Sequence, residues 1–516
     1  MSYKEKIMNN TWFSALAVYQ EYIVGLIISI IIARTLGAEE YGKYSLLLWI
    51  ALLGIDLTYG GVGISLIRYL AEVRGKGKDL LVNSVLKFHM RLMYIKFPFL
   101  IVLASVLIYF FSEKLDLEGN EFLVWFAIAS VLPRSIQMFY ISVTKGMESF
   151  STQYVINLIV TPINLALVSL AAFFFGGLKE FFYAYIIMGG VYYFVASWFG
   201  RRLVRREAGD EQVPIDEAYK DKIKYNVRVL SFSVIFTFIV ARQLEVAMLN
   251  FFSYPEAAGF YNVAYVLAMA AIFLAPGVFG NVLLPVMAKS NSEVEDVQAY
   301  RFSEANRFLM MLVAPVVVFG AVFSSEIIQG LYGEAYAESA FPFAVILLAS
   351  SVTILTQSSN SVLLSHNRQG LILKLGMVAA AGNIIIDYFL ISKFALYGAV
   401  AGFVITQITL SITLIYFAAR QLGTRVAYSQ FIKLFVTAFA VALPCWLVAG
   451  GSDSLVLVLL IGVLYMVFYF SAIVYLRLLK SRDVVLLKSL LGKIPVVPDR
   501  SKQRMMGWIE ARYAQA

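Results

Sequence analysis

Nine ionisable side chains lie within or at the ends of long apolar runs: Glu21, Arg34, Asp56, Lys96, Arg134, Arg228, Arg242, Glu245 and Asp387. A charge at the centre of a bilayer costs a few kcal/mol even on the lenient scale, so each needs a partner, a ligand or water. Arg134 follows Pro133 in the middle of the run from Phe122 to Thr144. At about 100° per residue, Gln137, Lys145 and Glu148 fall within roughly 60° of it, giving a polar stripe toward one end. In the run from Tyr225 to Phe252, Arg228, Ser231, Arg242 and Glu245 form a similar stripe. One helix from each half of the chain thus offers an arginine to whatever lies between, with Arg34 and Lys145 as further candidates. That arrangement suits a phosphate or another anion.

The acids read differently. Glu21, beside Gln20, is a mid-run carboxylate suited to a coupling proton or sodium ion. Asp56 stands among Gly54, Gly60, Gly61 and Gly63, where it either caps a helix break or joins an ion site. Glu245, three residues after Arg242, can neutralise it or take part in coupling. Arg34 can also snorkel from a helix end, and its face lies about 140° from that of Glu21, so the two do not share one site. Lys96 and Arg228 read as snorkelling side chains and Asp387 as structural. His89 and His366 are too isolated for a metal site, Cys445 has no partner, and no phosphate loop or H-E-x-x-H motif occurs. No metal, cofactor or ATP hydrolysis is expected.

These residues need helices that cross a membrane. The chain has 516 residues, 60% hydrophobic and only 15% charged, where ordinary soluble domains are near 25%. Apolar runs of about 20 residues, enough for a hydrocarbon layer, recur along its whole length. Runs this long without alternation are helices rather than barrel strands. The expected fold is all-α, with about fourteen spans from Asn10–Thr35 to Leu455–Tyr475. The first run is too long for a signal segment and reads as a retained span.

With the N-terminus inside, the alternate segments carry 33 Lys and Arg, against four (Lys43, Lys114, Lys179 and Lys393) on the other side. This positive-inside asymmetry puts both termini in the cytoplasm, and the expected location is the cell (inner) membrane. It also accounts for the net charge of +9 as anchoring at anionic lipid, leaving no reason to invoke nucleic acid.

The chain repeats itself. Leu36 to Ala71, LGAEEYGKYSLLLWIALLGIDLTYGGVGISLIRYLA, aligns without a gap on Ser253 to Ala288 at a shift of 217, with ten identities in 36 positions. Among them are Glu39/Glu256, Gly42/Gly259 and Tyr44/Tyr261, an E-x-x-G-x-Y turn at the same helix entrance. Asn164 and Asn383 fall at similar depths, and KGMESF after the fourth span matches SHNRQG after the tenth. Secondary transporters are often built from such repeats, with the substrate between them. The organisation expected is a lobe over residues 1–200, a basic linker over 201–224, a second lobe over 225–420, two further spans over 421–478, and an amphipathic cytoplasmic tail over 479–516. Each external loop is short; the longest, SEKLDLEGNE (Ser112–Glu121), is acidic.

The stretch LGAEEYGKYSLLLWIALLGIDLTYGGVGISLIRYLAE resembles the N-terminal signature of the polysaccharide-transport flippases, within the multidrug/oligosaccharidyl-lipid/polysaccharide exporter superfamily. ARQLEVAMLNFFSYPEAAGFYNVAYVLA (Ala241–Ala268) is similar to the seventh-span signature of that family, with Glu245 where relatives often carry an aspartate. RDVVLLKSLL in the tail resembles its usual ending. The resemblance implies two six-helix lobes around a central cavity, with two extra helices alongside. It implies alternating-access flipping of a polyprenyl-pyrophosphate-linked oligosaccharide to the outer leaflet, with membrane lipids and polysaccharide polymerases as partners. An ion-coupled multidrug antiporter of the same superfamily is the alternative, and a membrane glycan polymerase or ligase a second. The arginines count against the antiporter, and the short external loops against the enzyme.

Overall fold

The computed structural model describes residues 3–111, 121–274, 295–424, 428–452 and 454–479. The acidic loop, the Gly277 and Gly280 part of the repeat, and the tail therefore lie outside the described residues. Among those described there are helices and turns but no strand. The helices are α1 (Tyr3–Ile55), α2 (Gly61–Gly75), α3 (Val82–Phe111), α4 (Glu121–Gly146), α5 (Phe150–Phe174), α6 (Leu178–Ala208), α7 (Glu217–Ala241), α8 (Leu244–Phe251) and α9 (Pro255–Leu274). There follow α10 (Glu295–Val322), α11 (Ser324–Tyr332), α12 (Ala340–Thr353), α13 (Leu355–Ser365), α14 (Gln369–Gln421), α15 (Tyr428–Ala449) and α16 (Leu455–Tyr475).

Eleven helical stretches are long and apolar enough to cross a membrane. Two of them hold two spans each, because the chain turns back within them. α1 reverses at Gly37 (φ 75°), so that Ser29 Oγ lies 2.9 Å from Tyr41 Oη. α14 reverses at Ala395 (φ 45°), bringing Asn383 beside Thr406. With α9, whose apolar run continues past Leu274 in sequence, these make the fourteen spans expected.

Between lobes that both sit in lipid, burial of apolar surface supplies little drive, and close packing and buried polar contacts decide the association. The two copies of the repeat meet here. A Cβ on Gly42 would lie 1.8 Å from Pro255 O, and one on Gly259 would lie 2.0 Å from Ala38 O. Those contacts are one contact seen twice, since 42 and 38 become 259 and 255 under the shift of 217. On the axis itself Asn262 Nδ2 donates to Ser45 Oγ at 2.6 Å, a position and its own repeat. The lobes are related by a pseudo-two-fold axis, and its contact surface is self-complementary.

The apolar cores show where the lobes join. One core runs across both, uniting Tyr41, Tyr44 and Leu47 of α1 with Tyr261 and Ala264 of α9 and Tyr332 and Tyr336 beyond α10. At the basic end the cores are separate. Val62, Leu66, Phe139 and Tyr140 pack with Val227 of α7, whereas Phe302, Leu363, Leu414 and Ala418 form another cluster in the second lobe. The lobes are sealed together at the Gly37 end and bury distinct cores at the other, apart from the seam of α2 on α7.

Candidate functional site

Between the separated ends stands a group of charges drawn from four spans. Glu21, on the first limb of α1, is accessible although surrounded by protein, the position of a residue on a cavity wall. The charges acting on it are Lys145, Arg134 and Arg242, from α4 in one lobe and the end of α7 in the other. Asp56 also feels Arg242. Lys145 and Arg242 are exposed, like Glu21, in the absence of lipid. Among the described residues no ion pair within 4 Å joins any of these five, so the group is not a closed salt-bridge network.

Local structure explains how each is held. Pro133 removes one rung of the α4 ladder beside Arg134. The Arg134 guanidinium then lies between two rings of α6, 4.8 Å from the centroid of Tyr185 and 4.3 Å from that of Tyr192. Such contacts contribute about 0.5–2 kcal/mol each and fix a cation without neutralising it. Its Nε has no hydrogen-bond partner. Gln137, one turn on and buried, likewise leaves its carbonyl oxygen unpaired. Asp56 opens a π-turn over Asp56–Gly60 that separates α1 from α2. Such bulges occur often at functional sites. Arg242 sits where α7 stops and Gln243 adopts a left-handed conformation (φ 55°, ψ 52°) before α8.

That break carries Glu245 away from Arg242, and no ion pair joins them among the described residues. Glu245 is instead 3% exposed and faces the Tyr261 and Asn383 side chains, with the Asp387 carboxylate, itself 0% exposed, acting on it. Asn383 Nδ2 donates to Asp387 Oδ2 at 2.9 Å and to Thr406 Oγ1 at 3.3 Å. Asp387 Oδ1 and Asn383 Oδ1 have no hydrogen-bond partner. Gly402 makes the room, since a Cβ there would lie 1.9 Å from Asp387 Oδ1. Two buried carboxylates side by side, without a cation among the described residues, require a proton or a bound cation.

Other sequence-picked residues fall elsewhere. Arg34 is not brought to the charge group. Its Nε donates to Leu331 O at 2.7 Å and its Nη2 to Gly330 O at 2.8 Å, closing the C-terminal carbonyls of α11 as a cation at a helix C-terminus does. It is a tie between lobes at the sealed end. Lys96 does more than snorkel, for its Nζ donates to Ser231 Oγ at 2.7 Å across the α3–α7 seam. Asp387, read as structural, is half of the carboxylate pair; the sequence signal was Asn383 one turn before it on a shared face.

The model of the family described as "Polysaccharide biosynthesis protein" matches residues 7–291. The chain belongs to that family. An uncharacterized membrane protein of Methanocaldococcus jannaschii is 20% identical over 96% of this chain and 99% of its own length. Among solved structures the fold is similar to that of the lipid II flippase MurJ in an inward closed conformation, at TM-score 0.66 and 14% identity. That match covers 90% of this chain and 99% of that one. It is also similar to an inward-facing MATE family transporter of the MOP superfamily, at TM-score 0.65 and 15% identity, over 78% and 94% of the two chains. This family member is a multi-pass membrane protein with the fold of those transporters.

Proposed function

We propose that the protein flips a polyprenyl-pyrophosphate-linked oligosaccharide from the cytoplasmic to the outer leaflet by alternating access, for surface polysaccharide assembly. The observation that carries this reading is the convergence of Arg134, Lys145 and Arg242, from both lobes, on one accessible carboxylate, Glu21. Each sugar hydroxyl stripped of water without a partner costs roughly 2–7 kcal/mol, so the glycan needs a polar passage while its lipid tail stays in the bilayer. The cations would hold the pyrophosphate in that passage. Carrying about two negative charges outward gains ~4.6 kcal/mol per 100 mV of inside-negative potential, which supplies a drive without nucleotide hydrolysis.

Glu245 and Asp387 favour an ion-coupled step as well, and they are what the antiporter reading would use. A proton or monovalent cation held there would be a second driving ion for either substrate class. The same charge group separates the two, because an antiporter for organic cations gains nothing from Arg134 and Arg242. In proteoliposomes, Arg134→Ala and Arg242→Ala should each slow movement of a labelled lipid-linked oligosaccharide by about tenfold or more while the protein inserts normally. Full activity of both would remove the cations from the mechanism.

A further inference from the structure

We infer that the corner where α13 ends and α14 begins is a binding site for the phosphate headgroup of an anionic phospholipid in the cytoplasmic leaflet. A cavity of about 700 Å³ opens there, lined by Arg368, Lys374 and Arg420 and floored by Leu363, Leu371 and Phe417. Among the described residues none of the three cations has a carboxylate within ion-pair distance. Arg368 Nε donates to Gln421 Oε1 at 3.2 Å, and its outer nitrogens have no acceptor among the described residues. Into the same space α14 begins, with no side-chain cap and no acid in its first turn. Helix N-terminal amides and unpaired cations around one cavity bind anions, phosphate above all.

General anchoring of basic loops does not single out this corner, as cations at the same end of the first lobe show. There Arg74 bonds Met147 O at 2.8 Å and Glu207 at 3.1 Å. Arg205 pairs with Asp210 and Arg206 with Glu207. Those three first-lobe cations are met by acids, whereas the three at this corner have no carboxylate partner among the described residues and stand over a hydrophobic floor. That floor selects a lipid over a soluble anion. Ile412 and Tyr416, two turns and one turn before Arg420 on the same face, are 53% and 56% exposed, a track along which an acyl chain can lie. The site is distinct from the charge group between the lobes and does not depend on what the protein transports.

The test is native mass spectrometry and thermal shift on the purified full chain, with phosphatidylglycerol against phosphatidylcholine. Phosphatidylglycerol should be retained and raise the unfolding midpoint. A combined Arg368→Gln, Lys374→Gln, Arg420→Gln variant should bind it at least tenfold more weakly. Arg368→Lys with Arg420→Lys, which keeps the charge and guards against misfolding, should retain most binding, and Arg205→Gln with Arg206→Gln should bind like the wild type. Undiminished phosphatidylglycerol binding by the triple variant would overturn the proposal, as would an equal loss in the first-lobe control. Inorganic phosphate displacing the lipid at comparable concentration would assign a soluble anion and overturn the lipid.

Discussion

The two lobes carry the same repeat but set their charges in different surroundings. In the first lobe Arg134 and Lys145 stand at an accessible wall with Glu21, unpaired by any close carboxylate. In the second, Glu245 and Asp387 are sunk in the helix packing, out of reach of Arg242. Asn164 and Asn383 fall at similar depths in the two halves, yet four residues on from Asn164 stands Val168, whereas four on from Asn383 stands Asp387. Backbone geometry was kept while chemistry diverged. On the proposed function, the difference is one of setting: the accessible charges, Arg242 of the second lobe among them, are placed to meet a large anion, and the buried acids of the second lobe a small cation or a proton.

The sharpest way to break that division is to remove the cations. Arg134→Ala or Arg242→Ala should slow transport by about tenfold to a hundredfold each, the worth of one charge-assisted hydrogen bond at ~1.5–3 kcal/mol. Initial rates in proteoliposomes read this, and Lys145→Ala should do less because an ammonium lacks the bidentate fork of a guanidinium. On the other side of the comparison, Asp387→Asn relieves two like charges in a buried site. It should raise the unfolding midpoint by on the order of a few degrees and make transport indifferent to a sodium or proton gradient. A variant that keeps full gradient dependence would take the carboxylate pair out of coupling.

Two further tests address what the lobes share. Gly42→Ala and Gly259→Ala each place a methyl group within 2.0 Å of a carbonyl oxygen on the other lobe, so the sealed end must part. Labelling of a cysteine introduced at Tyr41 by an impermeant reagent should rise in both variants, and by similar amounts if the axis holds. The smallest effect expected is at Ser45 and Asn262. A double-mutant cycle to alanine should give a coupling of about 0.6 kcal/mol in unfolding, typical for hydrogen bonds between membrane helices.

Much of the architecture was legible because lipid imposes it. Apolar runs and the Lys and Arg asymmetry set the spans, and the identities from Glu39 to Ala71 announced the second lobe. The charge group was legible in part, since Glu21, Asp56, Arg134 and Arg242 were each too costly to leave facing lipid and Lys145 shares the stripe of Arg134. What local sequence could not supply was pairing across distance. Helical spacing joined Arg242 to Glu245, but the left-handed Gln243 between them cancels that register. Asp387 meets Glu245 because the first limb of α14 lies along α8, with the Tyr388 ring 5.4 Å from that of Phe252. Arg34 finds its carbonyls on α11, some 300 residues away, and no periodicity reports such a contact.

The hydrogen bond from Asn262 to Ser45 has a bearing on origins. Before the halves were joined, these two would have been a single site facing its own copy, as happens at the centre of any symmetric dimer. Two identical partners there must share donor and acceptor duties evenly. Once fused into one polypeptide, each side could change alone, and an amide opposite a hydroxyl assigns the roles. The seam thus keeps the geometry of a symmetric pair while its two sides differ in chemistry, an amide on one and a hydroxyl on the other.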